Sequence, residues 1–426
     1  MRFSIASVGL FERDVRLRMP FRFGTVTLTG CPQAFARVRI RLADGREAEG
    51  AAAEMLMPKW FDKDPALTNE DNFGQLRISL ALAADAYLAG GLNTAFGHSR
   101  AQYAELIASG AARGLNSLVA CYGPALIDRA VLDALCRACG MSFYKAMQSN
   151  LPGFTEFEGL DLARFSASLP PAKSIAARHT VGLVDPITAA DNRLPVGDGL
   201  PETLEDVVGR YGHTWFKLKV GGEVEADLER LAAIAAVLDR IDGPYRASLD
   251  GNEQYEDVEG VVELWARMRA DSRLARLSQS VLFIEQPVMR RNAFASSVAK
   301  LSALKPVIID ESDDSLDAFP RAKALGYRGV SSKTCKGLYK SLINRARCAA
   351  WGEGYFMSGE DLTIQPGLAL QQDLALVSLL GLTHVERNGH HYVNGMAGLP
   401  EAEQSAFLAA HSGLYERSHG AVRVAI

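Results

Sequence analysis

Long apolar runs are missing from this chain. No stretch of the 426 residues approaches the ~20 apolar residues that a membrane span needs. The opening MRFSIASVGLFERDVRLR meets Arg13, Asp14 and Arg16 before an apolar segment can develop, so it does not read as a signal peptide. Cysteine is scarce, at six residues, far below the density of a secreted disulfide scaffold. Cys136 and Cys139 form a lone CxxC within an apolar helical run, and with no second pair and no nearby histidine a zinc site is not expected. Charge of one sign is also missing: 46 Lys and Arg against 50 Asp and Glu leave a net −4. Such a balance gives no footprint for nucleic acid or an anionic membrane. No GxGxxG, Walker loop or nucleophile elbow occurs, so nucleotide binding and serine hydrolysis have no support. The expectation is an ordinary cytoplasmic protein with no nucleic-acid or membrane partner.

What is present divides in two. Residues 1 to about 60 read as strands, with FARVRIRL (35–42) alternating in period two before an Asp-Gly turn. Residues 69 to 150 read as helices, with Leu126, Ala130, Leu132, Leu135 and Ala138 at helical spacing in one of them. Strands followed by segregated helices predict an α+β unit over 1–150. A stretch with Pro152, Pro170 and Pro171 predicts a linker over 151–178. Beyond it, short strands alternate with amphipathic segments: HTVGLV (179–184), WFKLKV (215–220), YRASLD (245–250), VLFIEQ (281–286), PVIID (306–310), GVSSK (329–333), YFMSG (355–359) and THVER (383–387). Eight such units over 179–390 predict a (β/α) barrel, followed by a C-terminal segment, 391–426.

Five successive strands end in charge: Lys217 and Lys219, Asp250, Glu285, Asp310 and Lys333. Burying a charge costs several kcal/mol unless it is paired or metal-bound, and in a barrel these strand ends converge on the catalytic face. In a flat sheet the second and sixth strands would be roughly 19 Å apart, at about 4.8 Å per interval. In an eight-strand barrel they face each other across the mouth. Asp250, Glu285 and Asp310 form an all-oxygen set suited to Mg²⁺ or Mn²⁺. Lys217 and Lys219, two apart on a strand, point to one side. A base must be neutral near pH 7, and a second ammonium and a divalent cation would both lower a lysine's pKa. The chemistry served is removal of a proton α to a carboxylate, with the metal stabilising the enediolate.

These motifs resemble the enolase superfamily, and more closely its muconate-lactonizing-enzyme-like subgroup. FKLKVGG is similar to its LysXLys strand and LDGNEQY to its Asp-x-Asn strand; FIEQPV and VIIDESDD resemble its two further metal strands, and GVSSKTCKGL the strand of the opposing lysine. MPFRFG and IRLADGREAEGAAAE look like the capping domain, and ALIDRAVLDALCRACG like its linking helix. The resemblance implies an α/β fold, a modified TIM (β/α)7–8 barrel with an N-terminal α+β capping domain, the C-terminal segment packing back on the cap. It implies Mg²⁺ on Asp250, Glu285 and Asp310, and Lys219 and Lys333 as acid/base groups on opposite faces of a small carboxylate substrate. It further implies Lys217 neutralising the carboxylate and tuning Lys219, Asn252 and Glu360 in support, and a homo-oligomer.

Ser331 departs from the family's usual asparagine, and strand seven has no histidine for a mandelate-racemase-like His-Asp pair. His384 and Glu386 stand where dipeptide epimerases carry Asp-x-Asp, which speaks against a simple dipeptide epimerase. Both are candidates for substrate contact. Arg22, Phe23, Met57, Lys59 and Trp60 are candidates for a lid. Lys336 is expected to be a pairing residue, Asp313 and Asp314 helix caps, and His390 and His391 loop residues. Two opposed lysines favour a racemase or epimerase. The alternatives are an acid-sugar dehydratase or other lyase or cycloisomerase of the superfamily, a non-catalytic barrel used as a binding protein, and a Schiff-base aldolase.

Overall fold

A computed structural model describes residues 1–24, 26–362, 365–418 and 421–424. Three long strands open the chain: β1 (Phe3–Phe23), β2 (Val26–Leu42) and β3 (Glu47–Met55), antiparallel in that order. The alternation in β2 does what its period requires: Ala36, Val38, Ile40 and Leu42 are buried while Arg37, Arg39 and Arg41 are exposed. The Asp44-Gly45 turn leads into β3, and Gly45 supplies its positive φ of 88°. Three helices cover this sheet, α1 (Asn69–Ala89), α2 (Ala95–Ala111) and α3 (Ser117–Cys139). Thr68 caps α1 with a full capping box to Asp71.

Helix α3 is buried almost all round, Asp128 and Arg129 included, because it lies between the rest of the N-terminal unit and the barrel rather than on a surface. It approaches β3 so closely that a Cβ on Gly50 would stand 2.1 Å from the Ala134 backbone nitrogen. All six cysteines are free, and the CxxC at its end forms no disulfide.

A short hairpin, β4 (Glu156–Phe157) and β5 (Leu160–Asp161), precedes the second body. There β6 (Ala176–Val181), β7 (Trp215–Lys219), β8 (Arg246–Asp250), β9 (Val281–Glu285), β10 (Val307–Ile309), β11 (Gly329–Ser332), β12 (Phe356–Gly359) and β13 (His384–Arg387) form a closed parallel barrel in sequential order. The chain is thus an eight-strand barrel with an N-terminal antiparallel α+β domain. The first barrel strand begins three residues earlier than its β-branched run suggested, inside the stretch expected to be linker. Its inward side chains are Arg178 and Thr180, which bond to Glu360 and Glu386, and a polar interior gives no apolar signal.

After β13 a single helical turn (Gly389–Tyr392), which holds the His390 and His391 expected in a loop, and a helix (Glu401–Ala410) lead to a hairpin, β14 (Tyr415–Ser418) and β15 (Ala421–Val424). This segment touches the cap through Arg18, which donates to the His391 carbonyl at 2.8 Å, and through Arg13, which donates to Glu403 at 2.8 Å. Residues 419, 420, 425 and 426 of the expected C-terminal segment lie outside the described residues. No helix among the described residues is long and apolar enough to cross a membrane.

Candidate active site

The register of the barrel brings the charged strand ends level. Lys219 pairs with Asp250 across β7 and β8, and Asp250 with Glu285 across β8 and β9. Directly above lies a narrow recess of about 20 Å³, lined by Lys219, Asn252, Lys333, Asp361, Leu362, Glu386 and Asn388 from the barrel and by Phe21, Phe23, Met57 and Trp60 from the cap. Lys219 and Lys333 come from β7 and the end of β11, four strands apart in a ring of eight, and so face each other.

Each lysine is held by a carboxylate. Lys219 Nζ donates to Asp250 Oδ2 at 2.5 Å, and Lys333 Nζ to Asp310 Oδ2 at 2.6 Å. Burial works against the charge on Lys333, but Asp310 outweighs it, so its pKa is raised rather than lowered as the metal-bound arrangement would require. Burial likewise opposes ionisation of Asp310, and Lys333, Lys336 and Lys217 overcome it and hold the carboxyl low.

Lys217 is not on the recess wall. It sits beneath, its Nζ within 3.0 Å of Asp250, Glu285, Glu360 and Glu386 together. Burial is again the largest influence on it, and the four carboxylates reverse its sign and raise the pKa well above normal. One ammonium shared four ways leaves Glu285 short of counter-charge. Burial and the neighbouring Glu360, Asp250 and Asp310 push its pKa well up. Its Oε2 lies 2.9 Å from Lys217 Nζ, an ion pair in a direction that makes no hydrogen bond.

Asp250, Glu285 and Asp310 are therefore fully buried, hard-oxygen groups on three adjacent strands with a deficit of positive charge, and that donor chemistry fits a divalent cation such as Mg²⁺. In this conformation the Oδ2 atoms of both aspartates are engaged by lysines. Among the described residues, only His179, His213 and His390 bring three donor atoms within 4.8 Å of one another. Holding a cation requires Asp250 and Asp310 to exchange an ammonium for it.

Other candidates fall into place around this core. Asn252 lines the recess, its backbone N–H on Asp250 Oδ1 at 2.8 Å and its amide on Glu311 at 3.1 Å. Glu386 lines the recess and accepts from Thr180 at 2.5 Å; burial disfavours its charge, but Lys217, Lys219 and Lys333 hold its pKa well below normal. Glu360 lies deeper, bound by Arg178, Lys217 and Ser358.

His384 is a correction. It opens β13 at the far end of the barrel, where its Nδ1 meets Arg178 at 2.8 Å and its ring stacks on Trp215 at 4.6 Å, so it does not reach the recess. Burial, then the Arg178 charge, drives its pKa down to about 3. Asp313 is a second correction: it caps no helix but binds Lys336 at 3.2 Å and Lys340 at 3.4 Å. Lys336 pairs as expected, with Asp310, Asp313 and Ser331. Ser331 in turn donates to Asp310, so the residue standing where an asparagine is usual still braces that carboxylate. In the lid, Phe23, Met57 and Trp60 reach the recess, joined by Phe21. Arg22 is exposed, and Lys59 turns back to the carbonyls of Asp64 and Leu67.

Sequence reasoning missed Arg178, Asp361 and Asn388. A charged residue two before Thr180, in period-two register, was the available signal for the first; the other two lie just past strand ends, where periodicity says nothing.

Residues 199–406 match the family model described as enolase C-terminal domain-like. Over this barrel the chain is similar to the enolase superfamily. Solved structures of its mandelate racemase/muconate lactonizing group share the fold across both bodies. The mandelate racemase/muconate lactonizing protein from Herpetosiphon aurantiacus has a TM-score of 0.62 at 18% identity, covering 99% of this chain and 95% of that one. The L-Ala-D/L-Glu epimerase from Bacillus subtilis gives 0.61 at 15% identity, covering 99% and 96%. An enolase from Bradyrhizobium, complexed with magnesium and mandelic acid, gives 0.60 at 17% identity, covering 91% and 88%. No curated protein matches the sequence.

Proposed function

We propose that this barrel is a Mg²⁺-dependent enzyme that removes the α-proton of a small carboxylate substrate, as a racemase or epimerase. The observation that carries the reading is the pair Lys219 and Lys333, both on the wall of one recess and from opposite sides of the ring. One lysine, neutral, takes the α-proton, and the other, protonated, delivers its own proton to the opposite face of the α-carbon, which is inversion.

Asp250, Glu285 and Asp310 would hold the cation. Its chemistry there is to stabilise the negative charge that develops on the substrate carboxylate. Lys217 anchors the carboxylate cluster from below and keeps its charge fixed. Asn252 braces Asp250 through its backbone N–H, and Glu360 shares Lys217 and orders Arg178. Glu386 and Asn388 face the substrate from β13 and its end. Trp60, Phe21, Phe23 and Met57 exclude water from the lysines, which keeps proton transfer between protein and substrate.

The test is proton NMR in D₂O with Mg²⁺ over pooled amino-acid derivatives, dipeptides, hydroxy acids and sugar acids. Deuterium entering an α-position without loss of substrate, abolished for one enantiomer by Lys219→Ala and for the other by Lys333→Ala, is the expected result. A keto-acid product would replace inversion by dehydration. Exchange untouched by Lys333→Ala would sink the two-base mechanism.

A further inference from the structure

Inside and outside alternate along a strand, so Arg178 and Thr180, pointing into the barrel at Glu360 and Glu386, oblige His179 to point out of it. There it meets His213, from the loop before β7, and His390, from the turn after β13. One ring nitrogen from each lies within 4.8 Å of the other two. We propose that these three histidines form a binding site for a first-row transition-metal cation of the Zn²⁺ class, on the outer wall of the barrel and separate from the carboxylate cluster within it.

Four observations converge on it. The site is built of neutral imidazoles: burial lowers the pKa of His179 and of His213, so both offer lone pairs at neutral pH. His213 is oriented as a ligand, since its Nδ1 lies 3.2 Å from the Ala177 carbonyl and donates to it, which leaves the lone pair on Nε2. That Nε2 is buried, on a residue only 7% exposed, and has no hydrogen-bond partner. Beside it, His391 is 1% exposed with neither ring nitrogen hydrogen-bonded, and the Tyr211 hydroxyl is buried and unpartnered too. So many orphaned polar atoms at one place are costly unless a ligand or its bound water satisfies them.

The geometry asks for a modest change. His179 Nδ1 and His390 Nε2 are hydrogen-bonded at 2.9 Å, whereas two nitrogens on one tetrahedral zinc stand about 3.3 Å apart, from bonds of about 2.0–2.1 Å. Binding opens that gap, and the proton the two rings share moves to the outer nitrogen of one of them. His391, whose ring centre is 5.0 Å from that of His179, stands outside the set of three, its Nε2 3.9 Å from Asp185 Oδ2, so the fourth position falls to a water. The consequence reaches the recess: His390 lies two residues after Asn388, so a metal here pins the segment that carries Asn388 and Glu386 to β6 and β7.

The experiment uses the full chain without any affinity tag, stripped with chelator and saturated with Mg²⁺, then titrated calorimetrically with ZnCl₂ and, in parallel, with CoCl₂. Expected are one Zn²⁺ per chain, the visible absorption of four-coordinate Co²⁺, and a raised melting temperature. His213→Ala and the half-buried, structurally milder His390→Gln each weaken binding by more than about 100-fold, the upper end of what losing only a supporting group costs. Asp250→Asn leaves it unchanged. No stoichiometric Zn²⁺, binding that survives both histidine variants while their circular dichroism stays native, or binding lost in Asp250→Asn would each overturn the proposal.

Discussion

The Lys333 ammonium, on the barrel, stands 4.2 Å from the centre of the Trp60 ring, on the capping domain. Trp60 is 2% exposed and its backbone carbonyl also accepts from Arg290 of the barrel at 2.8 Å. The cap thus touches a proposed acid/base group directly. Replacing Trp60 by Ala removes a buried ring, at a cost of about 3–5 kcal/mol, and a desolvated cation–π contact of about 2 kcal/mol. Trp60→Phe keeps a ring face over the ammonium and should retain most activity. Steady-state kinetics and melting curves of the two variants separate loss of packing from loss of the contact.

Asp310 holds Lys333 and Lys336 at once. Asp310→Asn therefore strands the buried Lys333 and leaves Lys336 with Asp313 alone, and the expected destabilisation is about 3–5 kcal/mol. In the wild type, Mg²⁺ at a hundredfold excess over its Kd should stabilise by about 2.7 kcal/mol, and this gain should vanish in the variant. Denaturant melts with and without MgCl₂ give both numbers, and an unchanged Mg²⁺ response in Asp310→Asn would remove Asp310 from the ligand set.

Lys219 and Lys333 should each be worth about 100- to 10,000-fold in turnover as acid/base groups. Lys217→Met should instead disturb folding, because four carboxylates lose their shared ammonium. Comparing kcat and thermal stability across the three variants distinguishes groups that move protons from the one that anchors charge.

Asp128 gives a pH signature in the cap. Burial raises its carboxyl to about 7, against the pull of hydrogen bonds from Tyr87 at 2.6 Å and Ser99 at 2.8 Å. In the unfolded chain the group titrates near 3.8. Between these values the folded state holds a proton that the unfolded state has lost, so stability falls as pH rises through that window and levels off above it. The full drop is about 4 kcal/mol, at 1.36 kcal/mol per unit. Asp128→Asn should flatten it, which urea midpoints at about pH 5 and about pH 8 would reveal.

Gly50→Ala should destabilise by at least about 1–3 kcal/mol, since the new methyl meets the backbone of Ala134, which cannot rotate away. A melting temperature equal to wild type would mean that α3 and β3 separate more easily than their packing suggests.

The sequence by itself determined the two bodies and the ring order of their strands, because period-two alternation in β2 and strand–helix alternation after residue 178 are imposed by the backbone whatever the tertiary context. It also determined the charged strand ends, since ions at five successive strand ends are too costly to be accidental. Only the tertiary structure decided which of those ions meet. His384 and Glu386 share one strand and one side chain direction in the sequence, yet one stacks on Trp215 at the closed end and the other lines the recess, because position along a barrel strand sets depth and periodicity does not. His179, His213 and His390 were equally out of reach. They lie 34 and 177 residues apart in the chain, and nothing local to any of them signals the others; closing the barrel between β13 and β6 is what brings the three rings together.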